Sequence, residues 1–212
     1  MSVRVGAFGG TFDPIHHAHL RMARAFAAEL ALDQVRLIPA GQPYHRDQRP
    51  AASAAQRLEM ARLAVAGDAG LTVDAREVLR DRPAYTVDTL SELRAELGET
   101  AELWFLVGGD ALAGLASWKD WRRLFSLANL AVALRPGFDP AALPPAVRRE
   151  WHARQVSDFS NRTASGTIRP LALPPLDLSA TRLRALLAAD EPVEGLIDPA
   201  VLAYIRRQRL YR

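Results

Sequence analysis

An open, mainly parallel α/β sheet with helices on both faces is the fold this sequence predicts, and three observations predict it. Short apolar runs of strand length alternate with stretches of helical spacing along the chain. Leu103–Val107 and Leu130–Leu134 are apolar throughout, as strands buried on both faces are. Several runs end in glycine or polar residues, and ligands of such sheets sit outside the carboxyl ends of the strands.

Residues 3–9 alternate Val3, Val5 and Ala7 before Gly9-Gly10, which predicts a first strand. From about His16 the spacing turns helical, with Leu20, Ala23, Ala27 and Leu30 three and four apart. Residues 35–39 read as a second strand, and 40–54, rich in Pro, Gly and charge, as a loop. A helix is predicted over 56–66, a strand over 71–74, and a helix over 85–97 with Thr86 as its cap. The strand 103–107 leads into helical spacing that continues to about Leu127, followed by the strand 130–134. Residues 136–147 and 157–167 form the least regular region. A last strand is expected over 168–173, then helices over 180–189 and 198–208. The chain thus reads as one domain, 1–212, with an α/β sheet core over 1–175 and a small C-terminal helical part over 176–212.

The 212 residues are ample for a core, and 49% hydrophobic with 24% charged residues is ordinary for a globular protein. The absence of cysteine excludes disulfides, thiolate metal sites and a cysteine nucleophile, and fits a reducing cytoplasm, the expected location. No apolar run is long enough to cross a bilayer, so no membrane partner is expected. The first ten residues read as a strand and not as a signal peptide. The net charge is +3, Lys119 is the only lysine, and the arginines are scattered among acids. That pattern describes a mixed solvated surface, and nucleic acid is not expected as a partner.

Gly9-Gly10-Thr11-Phe12-Asp13-Pro14-Ile15-His16-His17-Ala18-His19-Leu20 is the most informative segment. Glycines after a strand let backbone approach a phosphate closely, and the next helix offers free N–H groups and a positive dipole end. His16 and His19, three apart, share a face of the first turn and can both donate to phosphate oxygens. The segment matches neither the dinucleotide fingerprint nor the P-loop, which disfavours a hydride enzyme and a P-loop ATPase. As a transition-metal site, His16-His17-x-His19 lacks a nearby carboxylate or cysteine. His17, Trp104, Trp121 and Trp151 are read as surface or packing residues. Near the other end, Ser179 is placed to cap a helix, and Thr181 and Arg184 share a face, so hydroxyls, amides and a guanidinium form a phosphate cradle.

Together, GGTFDPIHHAHL and the distant SATRLR resemble the HxGH and SxTxxR signatures of the nucleotidylyltransferase superfamily. Pro43-Tyr44-His45-Arg46, Pro83-Ala84-Tyr85-Thr86, Gly108-Gly109-Asp110, Ser117-Trp118, Arg135-Pro136-Gly137 and the end from Tyr204 to Arg212 are similar to the bacterial nicotinate mononucleotide adenylyltransferases. The likeness covers nearly the whole chain and is weakest over 138–168. It departs at Ala18, where the pattern has Gly, at Tyr44, where the family often has a second Pro, and at Arg46, where it often has Lys.

The resemblance implies a Rossmann-like sheet and transfer of AMP from ATP to nicotinic acid mononucleotide, with Mg²⁺ held through the ATP phosphates and no protein metal ligand. Its expected catalytic residues are His16, His19 and Arg184. ATP is expected at Gly9, Gly10, Thr11, Phe12, His16, His19, Gly108, Asp110, Ser179, Thr181 and Arg184. Nicotinic acid mononucleotide is expected at Tyr85, Thr86, Trp118, Arg135, His45 and Arg46. Amides opening the helix at Tyr85–Thr86 suit a carboxylate better than an amide. The alternatives are another phosphate acceptor, such as phosphopantetheine or nicotinamide mononucleotide, and a non-catalytic nucleotide- or RNA-binding module.

Overall fold

The computed structural model describes residues 2–42, 49–134, 137–158, 162–171 and 178–212. Six strands form one parallel sheet, β1 (Arg4–Gly10), β2 (Gln34–Pro39), β3 (Leu71–Val73), β4 (Glu102–Gly108), β5 (Asn129–Ala133) and β6 (Ile168–Leu171), in the order β3-β2-β1-β4-β5-β6. The order reverses at β1 and β4, which pair in parallel with Val5 opposite Leu103. The eight helices among the described residues are α1 (His17–Glu29), α2 (Ala54–Val65), α3 (Thr86–Leu97), α4 (Gly109–Ala113), α5 (Leu124–Leu127), α6 (Pro145–Arg154), α7 (Ala180–Ala188) and α8 (Pro199–Gln208). None of them is long and apolar enough to cross a membrane.

The chain divides into two compact units, one of residues 1–8, 25–35 and 85–175, the other of 9–24, 36–84 and 176–212. In the first, β4 and β5 are buried along almost their whole length, as their unbroken apolar runs require. Two buried arginines of this core, Arg4 and Arg94, are matched by specific partners. Arg4 pairs with Glu102 at 3.1 Å, and Trp104 Nε1 donates to the same carboxylate at 2.8 Å. Arg94, 5% exposed on α3, donates to the carbonyls of Gly98, Ala101, Leu127 and Ala164. It thereby ties together carbonyls of three separate chain segments.

In the second unit, α2 opens on a capping box in which Ser53 Oγ accepts from the Gln56 amide and the Gln56 side chain accepts from the Ser53 amide. Helix α8 begins with Asp198 as cap and Pro199 at its first position, and packs on α2.

Three expectations need correction. Thr86 is the first residue of α3, not its cap; Tyr85 stands at the cap position and makes no side-chain cap bond. The helical spacing from 109 to 127 is not one helix. It is α4, two single 3₁₀ turns at Leu115–Ser117 and Trp121–Arg123, and α5, broken where Asp120 takes a left-handed φ of 47°. Within the region read as least regular lies α6, which buries Val147 and Trp151 four residues apart. Its apolar face is only those two residues wide among charges, so periodicity hardly registers. Pro145 at the first turn was the available signal.

Candidate active site

Strand β1 runs out at Gly10, and the following segment is held by contacts within the second unit. Phe12 has φ 50° and its ring is 2% exposed. A Cβ on Gly10 would stand 2.7–3.1 Å from that ring, so only glycine leaves room for it. The Phe12 ring in turn meets the His19 ring edge-on, 5.1 Å between centroids. Arg57, 1% exposed on α2, donates to the carbonyls of Thr11 at 2.7 Å, Gly41 at 3.0 Å and Ala52 at 3.3 Å.

His16 and His19 stack with centroids 3.8 Å apart and ring planes 32° apart. His16 is 2% exposed, and its Nδ1 is buried without a partner. The His16 amide donates to Nδ1 of His19 at 3.3 Å, so a neutral His19 ring carries its proton on Nε2. Burial, and then the charge of His17, push His16 down to about 4. Burial, and then His16, push His19 down to about 3. Both rings are therefore neutral near pH 7, each carrying one N–H and no charge. His17 has a structural place: its amide donates to the Leu196 carbonyl and its Nδ1 lies 2.9 Å from the Gly195 carbonyl.

At the start of α7, Ser179 Oγ accepts from the Arg182 amide at 3.2 Å, the cap its position predicts. Arg184 Nη2 donates to Thr181 Oγ1 at 3.4 Å, while Nη1 donates to the backbone carbonyl of Asp13 at 2.7 Å. This contact joins the Ser-Thr-Arg helix to the histidine-bearing segment across 171 positions of sequence. Asp13, 5% exposed, accepts from the amides of Ala51 and Ala52 and from the Tyr211 hydroxyl, and its Oδ2 lies 3.8 Å from Arg184 Nη1.

A cleft of about 520 Å³ is lined by His17, Ala18, Arg21 and Arg24 of α1, by Leu178 and Arg182, and by Gly195 and Leu196; its lining does not include His16, His19, Ser179, Thr181 or Arg184. Arg24 is paired with Asp68 at 2.8 Å. Sequence reasoning missed Arg21 and Arg182 as lining residues. The three-residue steps from Ala18 to Arg21 and Arg24, and the adjacency of Arg182 to Thr181, were the signals.

In the first unit, β4 ends at Gly108, the exposed cap of α4, with exposed Asp110 in the first turn. A Cβ on Gly108 would meet nothing within 4 Å. Tyr85 and Thr86 are half-buried at the start of α3, where the Tyr85 side chain makes no cap bond. The Lys119 ammonium stands 4.5 Å from the Tyr85 ring centroid and 3.9 Å from Asp88. Trp118 is half-buried, edge-on to Phe105 at 6.3 Å. His45, Arg46 and Arg135 lie outside the described residues, as do Tyr44 and Pro136. Among the described residues no group of three His, Cys, Asp or Glu side chains could hold a metal ion.

The strand order with its reversal at β1 and β4, and glycines closing both of those strands, are features of a Rossmann-like nucleotide-binding α/β protein. A family model described as Cytidylyltransferase-like matches residues 7–186, and the chain belongs to that family. It is 82% identical over 212 residues, the full length of both chains, to a protein of Chromobacterium violaceum named "Probable nicotinate-nucleotide adenylyltransferase". It is 57% identical to a Laribacter hongkongensis protein of the same name, over 99% of this chain and 95% of the relative. The fold matches that of Plasmodium falciparum nicotinic acid mononucleotide adenylyltransferase in its complex with NaAD. The TM-score is 0.71 at 15% identity, covering 99% of this chain and 97% of that one.

Proposed function

We infer that the protein transfers AMP from ATP to nicotinic acid mononucleotide, giving deamido-NAD and pyrophosphate, a step of NAD biosynthesis. The observation that carries the chemistry is the Arg184–Asp13 contact, which brings a hydroxyl- and guanidinium-bearing helix start against the segment that holds two stacked imidazoles.

The attacking group is the mononucleotide 5′-phosphate. With a second pKa of about 6 it is largely a dianion at neutral pH, so no general base is needed. What the protein must do is align two anions and stabilise charge as it builds on the α-phosphate and the leaving pyrophosphate. His19 donates through Nε2–H to an α-phosphate oxygen. Its neutrality supports this role, because a neutral donor stabilises growing charge without first forming a tight ion pair in the ground state. His16, stacked against it, donates to the triphosphate. Ser179, Thr181 and Arg184 hold the β- and γ-phosphates, and the Gly9–Phe12 backbone lies along the adenosine and phosphate.

In the first unit, Gly108 leaves open space for close approach by the nucleotide, and Asp110 accepts from ribose hydroxyls. The first amides of α3, which the Tyr85 side chain does not cap, suit the nicotinate carboxylate. Trp118 stacks on the pyridine ring. Arg135, His45 and Arg46 are proposed, from sequence alone, to hold the mononucleotide phosphate.

The scheme takes a divalent cation that would be held through the nucleotide phosphates. As Mg²⁺ it would neutralise charge on the leaving pyrophosphate, with Ser179, Thr181 and Arg184 holding the phosphates it accompanies. The decisive experiment supplies purified protein with ATP, Mg²⁺ and a panel of acceptors, and follows pyrophosphate release. Fast release with nicotinic acid mononucleotide is expected. Release only with phosphopantetheine or nicotinamide mononucleotide would replace the acceptor, and salt-dependent RNA binding without turnover would replace the class.

A further inference from the structure

Arg184 is held by a carboxylate that is itself held by a residue far along the chain. Oδ1 of Asp13 accepts from the Tyr211 hydroxyl at 2.7 Å and from the Ala52 amide at 3.1 Å. Oδ2 accepts from the Ala51 amide at 2.8 Å. These three donors point the carboxylate away from Arg184, whose Nη1 stays 3.8 Å from Oδ2 and instead donates to the Asp13 backbone carbonyl at 2.7 Å. A guanidinium is a rigid planar fork, so anchoring Nη1 fixes the direction of Nη2. Among the described residues Nη2 meets only Thr181 Oγ1, at 3.4 Å, a long contact that a stronger acceptor can replace.

Tyr211 is built to supply its hydroxyl. It follows α8 with its backbone at φ 61°, a left-handed conformation that a residue with a side chain keeps only where its surroundings over-determine it. Burial, and then the Asp13 carboxylate, push its phenol far above the usual range, so it remains a donor at any pH the protein meets.

We propose that Tyr211, acting through Asp13, is a positioning residue for AMP transfer. By occupying Oδ1 it keeps the carboxylate from closing the 3.8 Å ion pair with Arg184 to hydrogen-bond distance, and so keeps the Nη2 edge of Arg184 available to a phosphate of ATP. Without the hydroxyl, the Asp13 side chain is held by two amides only. Rotation towards Arg184 then draws the guanidinium off the phosphate. This rests on the reading of Arg184 as a triphosphate ligand.

The test is a double-mutant cycle with Tyr211→Phe and Arg184→Met, read by ATP affinity from calorimetry and by kcat and KM for each substrate. Tyr211→Phe is expected to weaken ATP binding and lower kcat/KM for ATP by about tenfold, with KM for nicotinic acid mononucleotide unchanged. In the Arg184→Met background the same change should have almost no further effect on ATP affinity. Equal losses in both backgrounds, a parallel rise in both KM values, or no loss at all would overturn the positioning role. Wild-type protein that binds ATP but does not use nicotinic acid mononucleotide would instead overturn the acceptor assignment, and leave the cycle on ATP affinity interpretable. Thermal unfolding of each variant separates a loss of fold from both outcomes.

Discussion

His16 should make the protein acid-sensitive in a window set by its burial. An unfolded histidine takes up its proton near 6.5, whereas burial holds native His16 down to about 4. Between those values the unfolded state binds the extra proton and the native state does not. The stabilisation is therefore complete above 6.5 and drains away as pH falls towards 4. A tenfold difference in proton affinity is about 1.4 kcal/mol, so the whole window is worth on the order of 3 kcal/mol, of which about 2 kcal/mol is lost by pH 5. Other groups also titrate there, so the measurement is a difference. Urea unfolding of wild type and His16→Gln at pH 7 and pH 5 should show wild type losing about 2 kcal/mol more than the variant, whatever the variant's stability at pH 7. His19, pushed lower still, acts in the same direction and remains in both proteins. Parallel losses in the two proteins would mean that native His16 titrates like a free imidazole, and the neutral-donor account of the pair would fall with it.

Three further outcomes are expected. His19→Ala should lower kcat by two or more orders of magnitude while ATP still binds, measured by single-turnover kinetics beside calorimetry, because it removes a donor used mainly in the transition state. Thr86→Pro should raise KM for nicotinic acid mononucleotide about tenfold or more with little change in Tm. Proline suits the first position of a helix but has no N–H, and Thr86→Ala should leave KM nearly unchanged. Gly10→Ala should destabilise by about 1–3 kcal/mol in denaturant unfolding and reduce kcat, since the added methyl displaces the buried Phe12 ring that braces His19.

Much of the fold was legible because buried parallel strands and amphipathic helices announce themselves locally. Leu103–Val107 had no other reading than a strand, and Ser179 no better place than a helix cap. What failed failed for local reasons too. The inward face of α6 is only Val147 and Trp151, and the stretch 109–127 has helical spacing but turns at Asp120. The cap position given to Thr86 belongs to Tyr85, whose side chain makes no cap bond, because Thr86 already lies inside the first turn.

Sequence alone determined which chemical groups are present: two imidazoles three apart after a glycine-ended strand, and hydroxyls with a guanidinium at a helix start. Spacing within one helix or strand is a short-range property and survives translation into structure. Only the tertiary structure decided that His19 receives the His16 amide and so donates from Nε2, and that both imidazoles are buried into neutrality. It alone brought Tyr211 onto Asp13 across 198 positions and Arg184 onto the same residue across 171. Contacts at such separations depend on how the elements pack, and no periodicity in a chain encodes which distant hydroxyl will reach which carboxylate.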